Sequence, residues 1–150
     1  ASERDEKLKE EIKAALREEI DSGLLILLDN VDSILTLISR ADVVIFPPRI
    51  MTKKSEIPLA LLEALALRKP IVITDIPPLN EIMKRNVGEI IPAGNSPALI
   101  QAIDKLLENP QLTQSKGELG QRMVREEFDI RQAAKNYAWL YKKSLKNRSQ

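Results

Sequence analysis

The segment from Pro47 to Glu56 sets Arg49, Lys53 and Lys54, then Ser55 and Glu56, just ahead of a helix expected to begin at Pro58. Three cations beside unpaired helix amides and the positive end of a helix dipole have the makings of an anion site. The same residues also suit an ordinary solvated loop. Further on, Glu63 interrupts the run Pro58-Leu59-Ala60-Leu61-Leu62-Glu63-Ala64-Leu65-Ala66-Leu67. A carboxylate buried there without a partner is costly, so Glu63 either faces solvent or bonds something specific, and spacing alone does not decide. Thr74 and Asp75 close an apolar run, and Asp75 and Glu81 flank Pro77-Pro78, where they suit helix capping or ligand contact. Asp29 follows another apolar run, but no second acidic residue stands beside it to complete a phosphoryl-accepting pocket.

The composition removes much other chemistry. Cysteine and histidine are both absent, which excludes disulfides, thiolate nucleophiles, cysteine-based zinc or iron–sulfur sites, His-assisted triads and His-ligated metals. Carboxylate, hydroxyl, lysine, arginine and backbone chemistry remain, and no metal site is expected. The 150 residues carry 23 basic and 22 acidic side chains, a net charge of +1, so nothing speaks for a nucleic-acid binder with a basic face. No apolar run approaches the roughly 20 residues that span a bilayer. The start, Ala1 to Lys7, reads as a charged helix and not as a signal peptide. The expected compartment is the cytoplasm.

These residues need a scaffold, and the pattern supplies one. Leu8, Ile12, Leu16 and Ile20 recur every four positions, predicting an amphipathic helix from Glu3 to Ile20 with Ser2 as its cap. Leu24–Leu28, Val43–Phe46, Ile71–Thr74 and Glu89–Ile91 are apolar runs of strand length, suited to strands covered on both faces. Helices are expected between and after them: one with Val31, Ile34, Leu35 and Ile38 as its stripe and Asp29 or Asn30 as cap, one from Pro58 to about Arg68, and a short one over Leu79–Arg85. Closing helices follow Ser96-Pro97, with Ser96 as the expected cap, then Asn109-Pro110 and Ile130, the last with Tyr137, Trp139 and Tyr141 as a core or crossing stripe. The alternation implies an α/β fold with a parallel sheet and helices on both faces. A single domain over 1–150 is expected: an N-terminal helix over 1–22, a strand–helix core over 23–95 and C-terminal helices over 96–150. In such sheets ligands lie beyond the carboxyl ends of the strands, where Asp29-Asn30, Pro47–Glu56 and Thr74–Pro78 fall.

The ordered succession of Ala41–Pro47, Ser55–Ala66, Lys69–Asp75, Asn80-Glu81-Ile82, Gly88–Pro92 and Ser96–Leu99, continuing to Phe128, Tyr137 and Tyr141, resembles the nucleotide-sugar-binding C-terminal half of GT-B glycosyltransferases. The likeness is to the large retaining group called family 4, or glycosyl transferases group 1, and covers about residues 24–145. It implies a Rossmann-like sheet and a donor site in which Glu63 holds the ribose hydroxyls of a nucleotide and Glu56 contacts the donor sugar. Ser55, Thr74, Arg49, Lys53 and Lys54 complete the expected donor-binding set, with no metal and no cofactor beyond the nucleotide-diphospho-sugar itself.

The departures are specific. Six residues separate Glu56 from Glu63, one fewer than is usual in the family, so either the loop is shorter or Ser55 takes the first position. Ile57-Pro58 and Pro77-Pro78 stand where glycines are common, and proline offers no N–H to a ligand. Arg68 replaces a common glycine. The family's first two strands, with their diphosphate-gripping turn, have no counterpart. The expectation is an N-terminally truncated, four-stranded, rearranged or partner-completed sheet, and a chain inactive alone. Its expected partners are a nucleotide sugar and the missing N-terminal half or a second chain, a homodimer included. The alternative is a degenerate, non-catalytic module serving as an assembly subunit.

Overall fold

The computed structural model describes residues 3–29, 31–51 and 57–147. The chain divides into two compact units, residues 1–32 and 33–150. In the first, helix α1 (Glu3–Ala15) is followed by a short α2 (Arg17–Asp21), with a break at Leu16 inside the span expected to be one helix. Ser22 and Gly23 (φ 76°) end it. The following run Leu24–Leu28 is not a strand. Its residues pair with no ladder among the described residues, and Leu24 and Ile26 are largely exposed. Apolar character of strand length is thus insufficient: a strand exists only when a neighbour takes up its amides and carbonyls.

The second unit holds a parallel sheet of three strands among the described residues, in the order β1 (Val44–Phe46), β2 (Ile71–Thr74), β3 (Gly88–Ile91). The expected four strands are therefore corrected to three. Register runs Val44 to Ile71 and Ile71 to Gly88. Four helices accompany the sheet in the chain: α3 (Ile34–Arg40), α4 (Leu59–Ala66), α5 (Ser96–Leu107) and α6 (Pro110–Glu127), with a 3-10 turn over Leu79–Arg85 and a final helix, α7 (Ile130–Asn147). Ser33 caps α3, in place of the expected Asp29 or Asn30, by accepting from the Thr36 amide at 3.3 Å. Asn95, not Ser96, caps α5, while Asn109 caps α6. Each accepts through Oδ1 from the amide three residues on, so proline can follow where no N–H is needed.

Every residue of β2 is buried, and their alternation builds two cores. Ile71 and Ile73 pack with Ile38 of α3, Leu61, Ala64 and Leu65 of α4, Leu79 and Ile82 of the 3-10 turn, and Met123 of α6. Val72 turns the other way, to Ile91 and to Ala102 and Leu106 of α5. Helices on both faces, as the sequence implies, follow from this apolar strand. Two glycines permit the closest approach of α4 and α6: a Cβ at Gly117 would lie 2.1 Å from the Arg68 carbonyl oxygen, and one at Gly120 would lie 2.6 Å from Leu65 Cδ2. The expectation of a buried Tyr137-Trp139-Tyr141 stripe is not met, since all three are exposed on α7, Trp139 lying beneath the Lys143 ammonium at 4.9 Å.

Candidate functional site

Because the three strands are parallel, one end of the sheet collects all their carboxyl termini, at Phe46, Thr74 and Ile91. Thr74 is completely buried there, and its Oγ1 has no hydrogen-bond partner among the described residues. Its carbonyl accepts from the Ile76 amide at 2.9 Å, while the Asp75 amide donates to the Ile91 carbonyl at 2.8 Å, drawing the β2 and β3 exits together. A buried hydroxyl without a partner is uncommon in folded proteins and marks a position that calls for explanation.

Arg49 follows β1 by three residues and is exposed. A Cβ on Gly94, which sits in the turn after β3 with φ 72°, would lie 3.7 Å from Arg49 Nε. The Arg49 side chain therefore reaches to within van der Waals contact of the turn beyond β3. Asp75 is engaged by Asn80, whose Nδ2 donates to Oδ1 at 3.0 Å, so it serves the local turn. Glu81 is exposed in the first turn of the 3-10 segment. Lys53, Lys54, Ser55 and Glu56 lie outside the described residues.

Glu63 lies in the second turn of α4, whose N-terminus begins after Pro58, on the side of the sheet where β1 ends. At roughly 100° per residue, Leu61, Ala64 and Leu65 make the buried face, and Glu63 stands about 200° from both leucines. Its neighbours on that outer face are Leu59, Ala60, Ala66 and Leu67, all exposed. Glu63 itself is half-buried, and its carboxylate has no hydrogen bond or ion pair among the described residues. It thus occupies neither bulk water nor the core. It is an unpaired acid on an otherwise apolar surface.

Asp29 has a different role. Lys9 forms an ion pair with it, and that hydrogen bond holds the Asp29 carboxyl below the usual carboxylate range. Among the described residues no group of His, Cys, Asp and Glu is arranged to hold a metal ion, and no helix is long and apolar enough to cross a membrane.

Sequence reasoning overlooked Lys116, which α6 buries to 3% exposure. Its Nζ donates to Asn86 Oδ1 and to the Gly88 carbonyl, both at 2.7 Å, and pairs with Glu89 Oε1 at 3.1 Å. Asn86 is left-handed (φ 56°), and the bond to Lys116 fixes that turn. A signal was present: the glycines at 117 and 120 mark the stripe along which α6 packs on α4 and the turn after it, and Lys116 adjoins it.

The sequence profile described as Glycosyl transferases group 1 matches residues 2–109. The chain belongs to that family. Among curated proteins, an alpha-D-kanosaminyltransferase from Streptomyces kanamyceticus is 23% identical over 108 residues, covering 71% of this chain and 27% of that protein. Among solved structures, a glycosyltransferase from Rickettsia africae superposes with a TM-score of 0.81 at 20% identity, over 97% of this chain and 38% of that one. The sucrose-phosphate synthase of Thermosynechococcus elongatus gives a TM-score of 0.77 at 19% identity, over 94% and 35%. The α/β class and its GT-B-like fold are thereby established, and the chain spans well under half the length of each of these three proteins.

Proposed function

We propose that this chain is a donor-binding domain of a retaining glycosyltransferase, taking a nucleotide-diphospho-sugar at the carboxyl ends of β1, β2 and β3. The observation that carries the reading is Glu63: a carboxylate with no partner among the described residues, half-buried, ringed by exposed Leu59, Ala60, Ala66 and Leu67. A ribose diol donating two hydrogen bonds to that carboxylate would satisfy it, and bonds to a charged acceptor are the stronger kind. Thr74 Oγ1 offers a further unspent polar atom at the same end of the sheet, and Arg49 a cation for the diphosphate. Lys53, Lys54, Ser55 and Glu56 fall on the connection leading into α4 and belong to the same proposal. Charge neutralisation by such groups and by the helix dipole needs no metal. The acceptor-binding half and the chemical step would come from another part of the protein or another chain, with the donor met in the cytoplasm.

Calorimetric titration with a panel of nucleoside diphosphates and their sugars tests this. Saturable heat in the parent chain whose affinity falls about tenfold or more in Glu63→Gln supports it; a Glu63→Gln variant that binds like the parent overturns it. The second reading, a non-catalytic assembly module, is favoured by the exposed apolar residues of α7, Ile130, Tyr137, Leu140, Tyr141 and Leu145. It predicts no response to any member of the panel.

A further inference from the structure

Helix α4 ends in a hydrogen-bonded turn that normally carries glycine. The Lys69 amide donates to the Ala64 carbonyl at 2.9 Å and the Arg68 amide to the Leu65 carbonyl at 3.0 Å, which leaves Arg68 in the left-handed region at φ 60°. Glycine adopts that conformation freely, whereas a side-chain-bearing residue adopts it at a cost. Among the described residues the other non-glycine position with positive φ is Asn86, whose side chain anchors Lys116. Strain of this sort is retained where surrounding structure exploits it. The question is what the arginine does.

Its guanidinium is aimed. Arg68 Nε donates to Gln121 Oε1 at 3.0 Å, and Gln121 Nε2 in turn donates to the Ala66 carbonyl at 2.8 Å, so the side chain is held against α6 while its two terminal nitrogens have no partner among the described residues. Arg68 lines a depression of about 270 Å³ together with Glu118, Gln121, Arg122 and Arg125. Arg122 and Arg125 form no ion pair among the described residues. The acids nearest them in sequence are engaged elsewhere, Glu126 and Glu127 on Arg85 at 2.6 and 2.8 Å. Glu118 accepts from Gln114 Nε2 at 3.0 Å. Three arginines and one carboxylate thus line the same depression. Arg68 belongs to the amino end of the strands: it lies three residues before β2 begins at Ile71, and its carbonyl abuts Gly117.

We propose that Arg68, Arg122 and Arg125 form a binding site for a phosphate-class oxyanion, at the end of the sheet opposite the strand exits. Planar guanidiniums bind such oxygens in pairs, and arginine is preferred to lysine where that geometry matters. The depression suits a phosphoryl group and not a whole nucleotide, being smaller than ordinary small-molecule pockets. The phosphoryl group belongs either to a free phosphorylated molecule or to an anionic lipid headgroup.

The test uses the 150-residue chain. Inorganic phosphate is titrated at constant ionic strength against a chloride control, with NMR following the amides and Nε–H groups of Arg68, Gln121, Arg122 and Arg125. Sedimentation with phosphatidylglycerol vesicles, against phosphatidylcholine vesicles, forms the second arm. Arg122→Gln/Arg125→Gln is expected to weaken binding at least tenfold. Arg68→Gly is expected to weaken it comparably while unfolding at the same or a higher temperature, because glycine relieves the φ 60° strain, so lost binding is not lost folding. Saturable phosphate shifts with no vesicle capture assign a free phosphorylated ligand. Capture by the anionic vesicles alone, lost in both variants, assigns a headgroup. Phosphate shifts no larger than chloride shifts together with no vesicle preference, or an Arg68→Gly variant that binds like the parent, overturns the site. Neither variant touches Glu63, so nucleotide-sugar titration is unaffected and the two readings fail separately.

Discussion

Replacing Lys116 with methionine removes an ammonium that donates two hydrogen bonds and pairs with Glu89 at 3.1 Å, while keeping most of the aliphatic stem. Two acceptors at 2.7 Å, Asn86 Oδ1 and the Gly88 carbonyl, lose their partner. An unsatisfied buried acceptor costs about 1–3 kcal/mol. The Gly88 oxygen lies at the upper end because it is buried and cannot recruit water easily. Glu89 suffers less, since Lys105 Nζ still holds its Oε2 at 2.9 Å. Methionine recovers about 1 kcal/mol through added apolar burial. Exchanging a whole buried ion pair for apolar groups is often harmless, but here only one partner is exchanged, so the orphaned acceptors dominate. A net loss of about 3 kcal/mol is expected, or about 10 °C in melting temperature for a unit of this size. Urea unfolding followed by circular dichroism measures it, alongside Glu89→Gln, which leaves both carbonyl contacts of Lys116 in place and is expected to cost less than Lys116→Met. A Lys116→Met loss below about 1 kcal/mol would refute the reasoning, because the ammonium would then contribute no more than its methyl replacement.

Other predictions follow from single contacts. Burial pushes the Glu89 carboxyl up, but bonds from Lys105 and Lys116 outweigh it and hold it below its ordinary 4.5; this stability is present above that value and fades as pH falls through the depressed one. Acid titration of unfolding free energy should therefore flatten in Glu89→Gln relative to the parent below about pH 5; parallel curves would contradict it. Gly117→Ala drives a Cβ to 2.1 Å from the Arg68 carbonyl, so α6 must shift and stability should fall by about 2 kcal/mol or more, read by thermal melting. Asn109→Ala deprives the Leu112 amide of its 3.1 Å acceptor and should cost about 1 kcal/mol, with Asn109→Asp close to neutral.

Ile71–Thr74 was legible in the sequence because a strand buried on both faces needs apolar residues at every position, whichever helices cover it. Leu24–Leu28 has the same signature and forms no strand, since pairing is a property of two segments and the run itself names only one. Caps were misassigned by one to four residues where several Asx and Ser side chains compete: Ser33 was passed over for Asp29 and Asn30, and Asn95 for Ser96. In α7 the periodicity of Ile130, Tyr137, Tyr141 and Leu145 is real, yet periodicity says that one face is apolar and not what covers it. At the site, Glu63 stood out as an acid in apolar company, and its half-buried, unpaired placement agrees with that. The reach of Arg49 to Gly94 and the Lys116 anchor join residues about 28 to 45 positions apart, beyond any local pattern.

The central claim is a bond between the Glu63 carboxylate and a ribose diol, and the most direct measurement compares a ribonucleoside diphosphate with its 2′-deoxy counterpart on the parent chain and on Glu63→Gln. A hydrogen bond to a carboxylate is worth about 1.5–3 kcal/mol, so the parent should prefer the ribonucleotide by about tenfold or more. The variant should bind both alike. Equal affinities in the parent, or an undiminished ribose preference in Glu63→Gln, would contradict the account.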